Sequence, residues 1–576
     1  MLLTNNIENI TRGITLENKG LPNVAYFCME FGLDDNLPIF SGGLGILAGD
    51  YLKAAKDLDL PIIGVGILWR KDYTTQLIGE DGYPYDLYPS HSFEKLIDTN
   101  ITVNCRVRGI DVSCRVWKVE AYQNVTLYLL DTDLGSTEQD WITQKLYGGV
   151  DQDRIAQEII LGIAGIRALR ALNLDIDVYH FNEGHAVFAG LELIREKMDN
   201  DGLSFDEAWE KTKKEVVFTT HTPVEAGNET HDLGLLMFME AHNGLSEQQL
   251  ELLGGNPFNM TVAALRLSYR ANAVSQLHGQ TARRMWEHIP GVAQITAITN
   301  GVHVGTWQNS NIRNAFEKGS NLWVEHIAAK YKLIAYINEK NHLNLNPNVL
   351  TIGFARRAAA YKRGELIFKR MDILGQLLEG GQVQLVYSGK AHPNDHEGKR
   401  IIQEIVNISK KYPNIVFLEN YNMHIAKLMV QGCDVWLNNP LRPMEASGTS
   451  GMKAALNGVL SISVIDGWVG EAVKHQESGW LLDKVWNKNI NAGDQNQHDL
   501  EAFYEVLLNE VIPIFYNDQE RWVTMMRSSI KMGIKKLTSQ RMAKEYYHHL
   551  YNKAYASKNQ LYAIPESFSQ YDFPNP

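Results

Sequence analysis

The sequence predicts an α/β protein with two doubly wound, Rossmann-like domains that face each other across a cleft. Short apolar runs typical of buried parallel strands recur along the chain, and helical patterns separate them. The length of 576 residues is also too great for one ordinary core. We therefore expect an N-terminal domain over residues 1–308 and a C-terminal domain over residues 309–576, which ends in a helical tail.

In the first half, a glycine-rich turn follows the first apolar run and leads into a helical pattern that ends near Leu58. The pattern becomes alternating and β-branched between Ile101 and Leu130, which predicts an antiparallel insert. A long helix follows from Arg154 to about Leu172. Buried strands are predicted at 24–29, 61–67, 177–181 and 216–220.

The second half repeats this alternation from about residue 310. Buried strands are predicted at 348–354, 383–387, 415–418, 434–437 and 460–464. Strands that alternate with helices form parallel sheets, and ligands bind such sheets beyond the carboxyl ends of the strands. Polar residues that directly follow a predicted strand are therefore the first candidates for a functional site.

Composition and charge argue against several classes of protein. The formal net charge of −12 and the pI of about 5.9 do not suit a nucleic-acid partner. No window approaches the ~20 apolar residues of a membrane span, and the N-terminus lacks the basic and apolar regions of a signal peptide. We expect a cytoplasmic protein that does not bind membranes. Its four cysteines should be reduced, although Cys105 and Cys114 lie where a hairpin disulfide is feasible.

The segment Glu445-Ala-Ser-Gly-Thr-Ser-Gly-Met-Lys453 is the most informative part of the sequence. It precedes a helical pattern, so its glycine and hydroxyl residues would present backbone N–H groups to an anion. Lys453 opposes the helix dipole, which indicates that it faces another group, such as a carbonyl with which it condenses. A simple N-capping loop with a solvated lysine is the alternative.

A second segment, Phe354-Ala-Arg-Arg-Ala-Ala-Ala-Tyr-Lys-Arg363, places four cations where a strand passes into a helix. Arg357 and Lys362 would converge on one oxyanion, because arginine offers a planar fork and lysine a point charge. The position at the carboxyl end of a strand favours a binding site over the alternative, a solvated basic face.

Weaker signals follow other strands. Gly42 and Gly43 precede a helix, and glycines there allow the backbone to approach a phosphate or a sugar. No metal site is predicted, because His180 and His185 lack a third ligand at a suitable spacing. Polar groups that include a histidine follow strands or turns at 182–185, 221–223 and 300–303.

Together these segments resemble the glycogen and starch phosphorylases, in a compact form. The match runs from about Val24 to about Glu471, and the 445–453 segment looks like the pyridoxal-phosphate segment of that family. The resemblance implies the GT-B architecture and a cytoplasmic glycosyltransferase. Such an enzyme uses pyridoxal 5'-phosphate and inorganic phosphate to release α-D-glucose 1-phosphate from the non-reducing end of an α-1,4-glucan or maltodextrin, with retention, and commonly forms homodimers.

The resemblance also implies roles for individual residues. Lys453 would carry the cofactor as a Schiff base, with further cofactor contacts from Tyr421, Thr449 and Gly43. The substrate phosphate would be held by Arg357, Lys362 and the N–H groups of Gly42 and Gly43. The glucosyl unit would be contacted by Glu445, Ser447, Gly448, Asn300 and His221, with the His221 carbonyl near the anomeric carbon.

The chain departs from the larger members of the family at several positions. Those members have Arg where this chain has Asn422, which removes one cation near the cofactor phosphate, and they differ at Ser41 and Ser450. Few residues precede Val24, so we expect no N-terminal regulation. One rival interpretation is a nucleotide-sugar glycosyltransferase resembling glycogen synthase, which shares the fold but needs no Lys453. Another is a carbohydrate-binding protein without activity.

Overall fold

The computed structural model describes residues 20–135, 138–482 and 491–559. The expectation about N-terminal regulation falls on residues 1–19, outside the described residues. The chain divides into two compact units. Unit 1 comprises Met1–Tyr73, Pro89–Thr299 and Met542–Pro576, and unit 2 comprises Thr74–Tyr88 and Asn300–Arg541.

Strands and helices alternate through most of both units. The strands are β1 Val24–Phe27, β2 Ile62–Ile67, β3 Thr75–Ile78, β4 Pro84–Leu87, β5 Ile97–Val107, β6 Ile110–Val119, β7 Leu127–Asp131, β8 Val178–Asn182, β9 Val216–Thr219, β10 Thr230–His231, β11 Phe258–Asn259, β12 Arg270–Ala273, β13 Gln294–Ala297, β14 Leu350–Ala355, β15 Val383–Ser388, β16 Ile415–Leu418, β17 Val435–Asn438, β18 Leu460–Ser463 and β19 Gly479–Leu481.

The helices vary from a single turn to about five turns. They are α1 Gly43–Asp57, α2 Asp151–Ile159, α3 Gly165–Ala171, α4 Val187–Asp201, α5 Phe205–Lys213, α6 Leu233–Phe238, α7 Glu247–Gly254, α8 Met260–Leu267, α9 Gln276–Trp286, α10 Val304–Trp307, α11 Ser310–Glu317, α12 Leu322–Asn341, α13 Met371–Glu379, α14 His396–Ser409, α15 Met423–Gly432, α16 Ser450–Leu456, α17 Val469–Ala472, α18 Ala492–Val506, α19 Ile512–Asn517, α20 Gln519–Lys536, α21 Ser539–Tyr546 and α22 Asn552–Lys558. Within the described ranges, none of these helices combines the length and the apolar character needed to cross a membrane.

Unit 1 is built on a nine-stranded sheet in the order β13-β12-β9-β8-β1-β2-β7-β6-β5. The strands from β13 to β7 pair in parallel, and β6 and β5 extend the sheet in antiparallel fashion. All residues of β1, β2, β8 and β9 are buried. Strands of a parallel sheet are covered on both faces, which explains why they read as continuous apolar runs.

Unit 2 is built on a six-stranded, wholly parallel sheet in the order β16-β15-β14-β17-β18-β19. If the six strands of this sheet are numbered from β14, their order is 3-2-1-4-5-6, the order of a Rossmann fold. The order reverses between β14 and β17. Ligands of such sheets bind at this switch point, beyond the carboxyl ends of the strands.

The predicted fold class is confirmed. All of the predicted buried strands are present, with ends shifted by at most two residues, and β5, β6 and β7 form the predicted antiparallel insert. The long helix predicted from Arg154 is interrupted by a π-helical turn over Ile160–Ala164. All four cysteines are free and buried. The sequence analysis did not identify β12, β13 and β19 or the β3–β4 hairpin, which are short or partly polar.

The compact units differ from the expected division after residue 308: unit 2 begins at Asn300, and two segments lie in the other unit from the one expected. The end of the helical tail belongs to unit 1, where the Tyr551 hydroxyl bonds to the Tyr51 hydroxyl at 2.7 Å and to His180 Nδ1 at 2.7 Å. The β3–β4 hairpin belongs to unit 2, although the chain before and after it belongs to unit 1. Both differences arise from contacts between residues hundreds of positions apart, which local patterns do not reveal.

Candidate active site

In unit 2, the candidate residues collect at the carboxyl ends of the strands. Arg356 directly follows β14, and the loop that carries Glu445 follows β17, so both lie at the switch point of the sheet. Tyr421 follows β16 in the same way. The arrangement agrees with the rule that open α/β sheets bind ligands at this edge.

A buried carboxylate between two buried cations forms the centre of this group. Glu445 Oε2 accepts a hydrogen bond from Arg356 Nη2 at 2.9 Å and another from Lys362 Nζ. The three residues are only 7–9% exposed. Burial alone would raise the pKa of Glu445, but the charges of Lys362 and Arg356 outweigh it, and the pKa is lowered. Glu445 is therefore ionised at neutral pH.

The structure pairs Lys362 with Arg356, whereas the sequence analysis paired it with Arg357. Arg357 is exposed. Arg356 is buried, and its Nε and Nη1 atoms have no hydrogen-bond partner among the described residues. Buried donors of this kind are costly unless a ligand or water satisfies them. The only sequence signal for Arg356 was its position directly after a strand.

The loop from Glu445 to Thr449 is held in a defined conformation. Gly448 has φ +76°, a left-handed conformation that favours glycine. A Cβ there would lie 3.5 Å from Glu445 Oε1 and 3.6 Å from Arg356 Nη2, so Gly448 lies beside the ion pair of Glu445 and Arg356. The sequence analysis missed Asp466, whose Oδ2 accepts from the Glu445 N–H at 2.9 Å and fixes the backbone that carries this carboxylate.

Ser447 and Thr449 belong to the same loop. Ser447 is buried, with its hydroxyl 3.4 Å from the Gly448 carbonyl. Thr449 precedes α16, and its carbonyl accepts from the Lys453 N–H at 3.2 Å. Neither contact assigns a ligand role, so the predicted sugar and cofactor contacts of these residues stay predictions.

Lys453 lies in α16 and is buried, so the solvated lysine of the alternative interpretation is not observed. Its Nζ lies 3.7 Å from the centre of the Trp307 ring, a cation–π contact. The Asn457 amide donates to the carbonyls of both residues, at 2.9 Å to Lys453 and 3.0 Å to Trp307. The amine is therefore buried beside an aromatic ring.

Two further candidates of unit 2 have buried polar atoms. The pKa of Tyr421 is raised by burial, and Arg356 acts against this shift, so the phenol and the guanidinium are close enough to interact. Asn300 is 4% exposed, and its Oδ1 has no hydrogen-bond partner among the described residues. Its backbone carbonyl accepts from Arg541 at 2.9 Å, which fixes the position of the residue.

In unit 1, the glycine-rich turn before α1 is held by a buried carboxylate. Glu30 Oε2 accepts from the N–H groups of Ser41 at 2.6 Å and Gly42 at 3.2 Å, and Oε1 accepts from the Tyr147 hydroxyl at 2.8 Å. The Gly42 N–H, predicted to contact phosphate, is therefore bound to Glu30. A Cβ at Gly42 or Gly43 would meet nothing within 4 Å, so the space beside the turn is open.

His221 follows β9 and is held by the end of β8. Its Nε2 lies 2.7 Å from Asn182 Oδ1, and its backbone N–H donates to the Glu183 carboxylate. Asn182 Nδ2 donates to Cys28 Sγ at 3.2 Å, which leaves the amide oxygen facing the ring. Burial, with a contribution from His278, lowers the pKa of His221 to about 3. The ring is therefore neutral, with Nε2 as donor and Nδ1 as acceptor.

One group of potential metal ligands in unit 1 was not identified from the sequence. Glu158, Glu229 and His231 each place a ligand atom within 4.8 Å of the others. Arg154 donates to both oxygens of Glu229, at 2.9 and 3.0 Å, and so already supplies a positive charge. Burial, with the charge of Glu229, raises the pKa of Glu158 to about 8. We interpret the group as a buried ion network.

Comparisons with known proteins agree with this geometry. Residues 317–478 match the model of the carbohydrate phosphorylase family. The chain is 38% identical to maltodextrin phosphorylase of Thermococcus litoralis, over 93% of this chain and 71% of that protein. The chain belongs to the carbohydrate phosphorylase family. It is also similar to the glycogen phosphorylases of Mycobacterium tuberculosis (38% identical, over 92% of this chain and 71% of that protein) and Aquifex aeolicus (36%, over 92% and 86%).

Family membership confirms the resemblance found in the sequence. Phosphorylases are glycosyltransferases of the GT-B fold that catalyse phosphorolysis of glucans, so the predicted enzyme class is confirmed too. These relatives are named as phosphorylases, whereas the rival interpretations would require a nucleotide-sugar glycosyltransferase or an inactive carbohydrate-binding protein. The family uses pyridoxal phosphate.

The residues of unit 2 fit this cofactor. Its aldehyde needs an amine, and Lys453 offers a buried one beside Trp307. Its phosphate needs donors, and Arg356 has two buried nitrogen atoms without a partner among the described residues. Tyr421 adds a phenol close to Arg356. This donor set combines a group for imine formation with groups for an oxyanion, as the cofactor requires.

Proposed function

We propose that the chain catalyses reversible phosphorolysis of the non-reducing terminal glucosyl unit of an α-1,4-glucan, such as glycogen, starch or maltodextrin. The products are α-D-glucose 1-phosphate and the shortened glucan. The observation that carries the proposal is the buried group of Arg356, Lys362 and Glu445 at the switch point of the unit 2 sheet. It offers cations to phosphate groups and a carboxylate to a sugar.

Lys453 holds pyridoxal phosphate in this proposal. When bound, the cofactor supplies a second phosphate group that shares a proton with the substrate phosphate. Tyr421, Thr449, Gly43 and Arg356 bind the cofactor phosphate, because a doubly charged group next to another anion needs neutralising donors. The loss of a cation at Asn422, relative to the larger members of the family, gives Arg356 added weight.

The substrate phosphate is bound by Lys362 and Arg357, with N–H groups of Gly42 and Gly43. The Gly42 N–H must then exchange the Glu30 carboxylate for phosphate. The bound phosphate gives its proton to the glycosidic oxygen as the bond to the anomeric carbon breaks. One of its oxygens then forms the new bond to that carbon from the same face, so the α configuration is retained. Two catalytic carboxylates, as in most glycosidases, are not needed.

The sugar is oriented by neutral and charged acceptors. Glu445, with Ser447 and Gly448 beside it, accepts from ring hydroxyl groups, and hydrogen bonds to a carboxylate are stronger than those to a neutral group. Asn300 Oδ1 is a buried acceptor without a partner among the described residues, which suits a hydroxyl group. The neutral His221 ring offers Nδ1 as an acceptor, and its backbone carbonyl faces the anomeric carbon. Further parts of the proposal are a cytoplasmic location and a homodimer.

A product assay tests the proposed function. Purified protein is incubated with maltodextrin and inorganic phosphate, and glucose 1-phosphate is measured; parallel reactions contain nucleotide-activated glucose without phosphate. We expect glucose 1-phosphate only from the phosphate reaction, and near-ultraviolet absorbance from the bound aldehyde cofactor. Chain elongation from the nucleotide sugar, without glucose 1-phosphate formation, would contradict the proposal.

A further inference from the structure

The β3–β4 hairpin of unit 2 packs against the segments that follow β15 and β16. The Lys390 ammonium donates to the Thr74 carbonyl at 2.7 Å, and Lys399 on α14 pairs with Asp86 at 2.5 Å. The carbonyls of Glu80 and Asp81 accept from side chains farther along the same face of unit 2. The hairpin is therefore fixed along its length to the segments that follow β15 and β16.

Gln76 on β3 makes the innermost contact of this hairpin. The residue is 2% exposed. Its Oε1 accepts from the Ala391 N–H at 2.9 Å, and its Nε2 donates to the Ala391 carbonyl at 3.1 Å. The same Nε2 donates to Asp86 Oδ1 at 2.9 Å. A carboxylate only accepts, so Asp86 fixes the orientation of the amide.

Ala391 in turn holds the segment 356–362, which carries the candidate phosphate-binding cations and is called the cation segment below. It forms a parallel β-bridge with Ala358, and the Ala358 N–H donates to the Lys390 carbonyl at 2.9 Å. Ala358 lies between Arg357 and Lys362 in the sequence. A displacement of Ala391 therefore moves the backbone from which the phosphate-binding side chains extend.

The backbone of Gln76 holds a second loop of the site. Its carbonyl accepts from the Asn420 N–H at 3.1 Å, and the N–H of Ile78 donates to the Glu419 carboxylate at 3.0 Å. Asn420 has φ +52°, in the left-handed region that asparagine adopts more readily than most non-glycine residues. The next residue is Tyr421, a candidate contact of the cofactor phosphate.

We propose that Gln76 is a positioning residue for phosphate recognition, which holds the cation segment 356–362 and the Tyr421 loop in register. The inference rests on the proposed function. Gln76 touches neither substrate nor cofactor. It acts through Ala391 and Asn420, so its loss should affect the two phosphate groups and leave glucan binding nearly unchanged.

The test compares Gln76→Met with Gln403→Met. Methionine keeps the length of the side chain and removes the hydrogen bonds. Gln403 on α14 donates to the Asp81 carbonyl at 3.2 Å, on the exposed side of the same hairpin, and is the matched control. We expect Gln76→Met to raise KM for phosphate about fivefold, since buried groups lose their partners. KM for maltodextrin should stay within about twofold, and Gln403→Met should resemble the wild type.

A second readout does not depend on activity. Phosphate that binds the folded protein raises its Tm, and the rise depends on affinity. The phosphate-dependent Tm increase should be smaller in Gln76→Met than in the wild type and in Gln403→Met. Weaker rebinding of pyridoxal phosphate by the Gln76→Met apoprotein, measured by fluorescence titration, would support the same inference.

The outcomes separate this inference from the proposed function. A wild type that releases no glucose 1-phosphate refutes the function. A wild type that is active, with KM values for both substrates equally affected or unaffected in Gln76→Met, overturns the role of Gln76 alone. Gln76→Asn, which keeps the amide on a side chain shorter by one methylene, is the milder second variant. If neither variant folds, Gln76 is a structural residue and the inference is wrong.

Discussion

Unit 2 and unit 1 present their candidate residues in different chemical states. In unit 2, the cations Arg356 and Lys362 surround an ionised Glu445, whose pKa is lowered by their charges despite burial. In unit 1, His221 is kept neutral by burial, and the turn at Gly42 is held by Glu30 through backbone N–H groups. The difference shows that the candidate residues of unit 2 are charged, whereas the His221 ring of unit 1 is neutral.

The largest effect is expected at Lys453, where unit 2 provides its buried amine. Lys453→Ala should abolish covalent attachment of the cofactor and lower glucose 1-phosphate release by several orders of magnitude, since the nucleophile is lost. Lys474→Ala, an exposed lysine of the same unit, is the control. Wild-type absorbance and activity in Lys453→Ala would break the assignment.

The next largest effect is expected from the phosphate cations. Arg356→Ala should raise KM for phosphate by about tenfold or more, because a buried charged donor is lost from a site for two anions. Arg357→Ala, measured in parallel, tests the exposed neighbour, and Arg370→Ala, an exposed ion-paired arginine, is the control. If Arg357→Ala affects phosphate use and Arg356→Ala does not, the prediction for Arg356 is wrong, and the substrate phosphate is bound by Arg357 and Lys362 without it.

Glu445→Gln should have a moderate effect on kcat. The variant tests whether the charge of this carboxylate is needed, or whether a neutral hydrogen-bonding group is enough. The amide accepts more weakly from sugar hydroxyl groups, so kcat should fall about tenfold while cofactor content stays full. Cofactor content is measured by absorbance, and kcat by glucose 1-phosphate release. Unchanged turnover at full occupancy would show that Glu445 does not bind the sugar.

The smallest effect concerns stability and arises in unit 1. Burial lowers the pKa of His180 to about 3, and it lowers those of His185, His221 and His278 to about 3–4. Their unfolded values lie near 6.5, so the unfolded chain binds more protons below that pH and the native state loses stability as the pH falls toward 4. These histidines alone would lower the urea midpoint between pH 7 and pH 5, whereas Glu158, whose pKa is raised to about 8, acts in the opposite direction.

A matched pair of variants checks the source of this pH dependence. His180→Gln should show a smaller fall in the free energy of unfolding, by up to about 1 kcal/mol per pH unit, because one buried histidine no longer takes up a proton. His288→Gln, at an exposed histidine of the same unit, should behave as the wild type. Equal slopes in the two variants would contradict the explanation.

Much of the fold was predictable because parallel strands are continuous apolar runs. The five strands predicted in the second half all lie in the unit 2 sheet, and the segment before Lys453 identified both its helix and its family. The short strands β12 and β13 carry polar residues such as Arg270, Asn272 and Gln294, so their pattern did not stand out.

The site was less predictable than the fold, because side-chain direction and long-range contacts decide it. Arg356 and Arg357 are neighbours of the same type, and only the structure shows that Arg356 pairs with Glu445. Asp466 and Gln76 act through backbone groups far away in sequence. Nothing in their local sequence marks them as part of a site.

The most direct test of the account is to locate the cofactor on the chain. The purified protein is treated with borohydride, digested, and mapped by mass spectrometry for a reduced pyridoxal phosphate adduct. The account predicts one modified lysine, Lys453. An adduct on another lysine, or none on protein that releases glucose 1-phosphate, would contradict it.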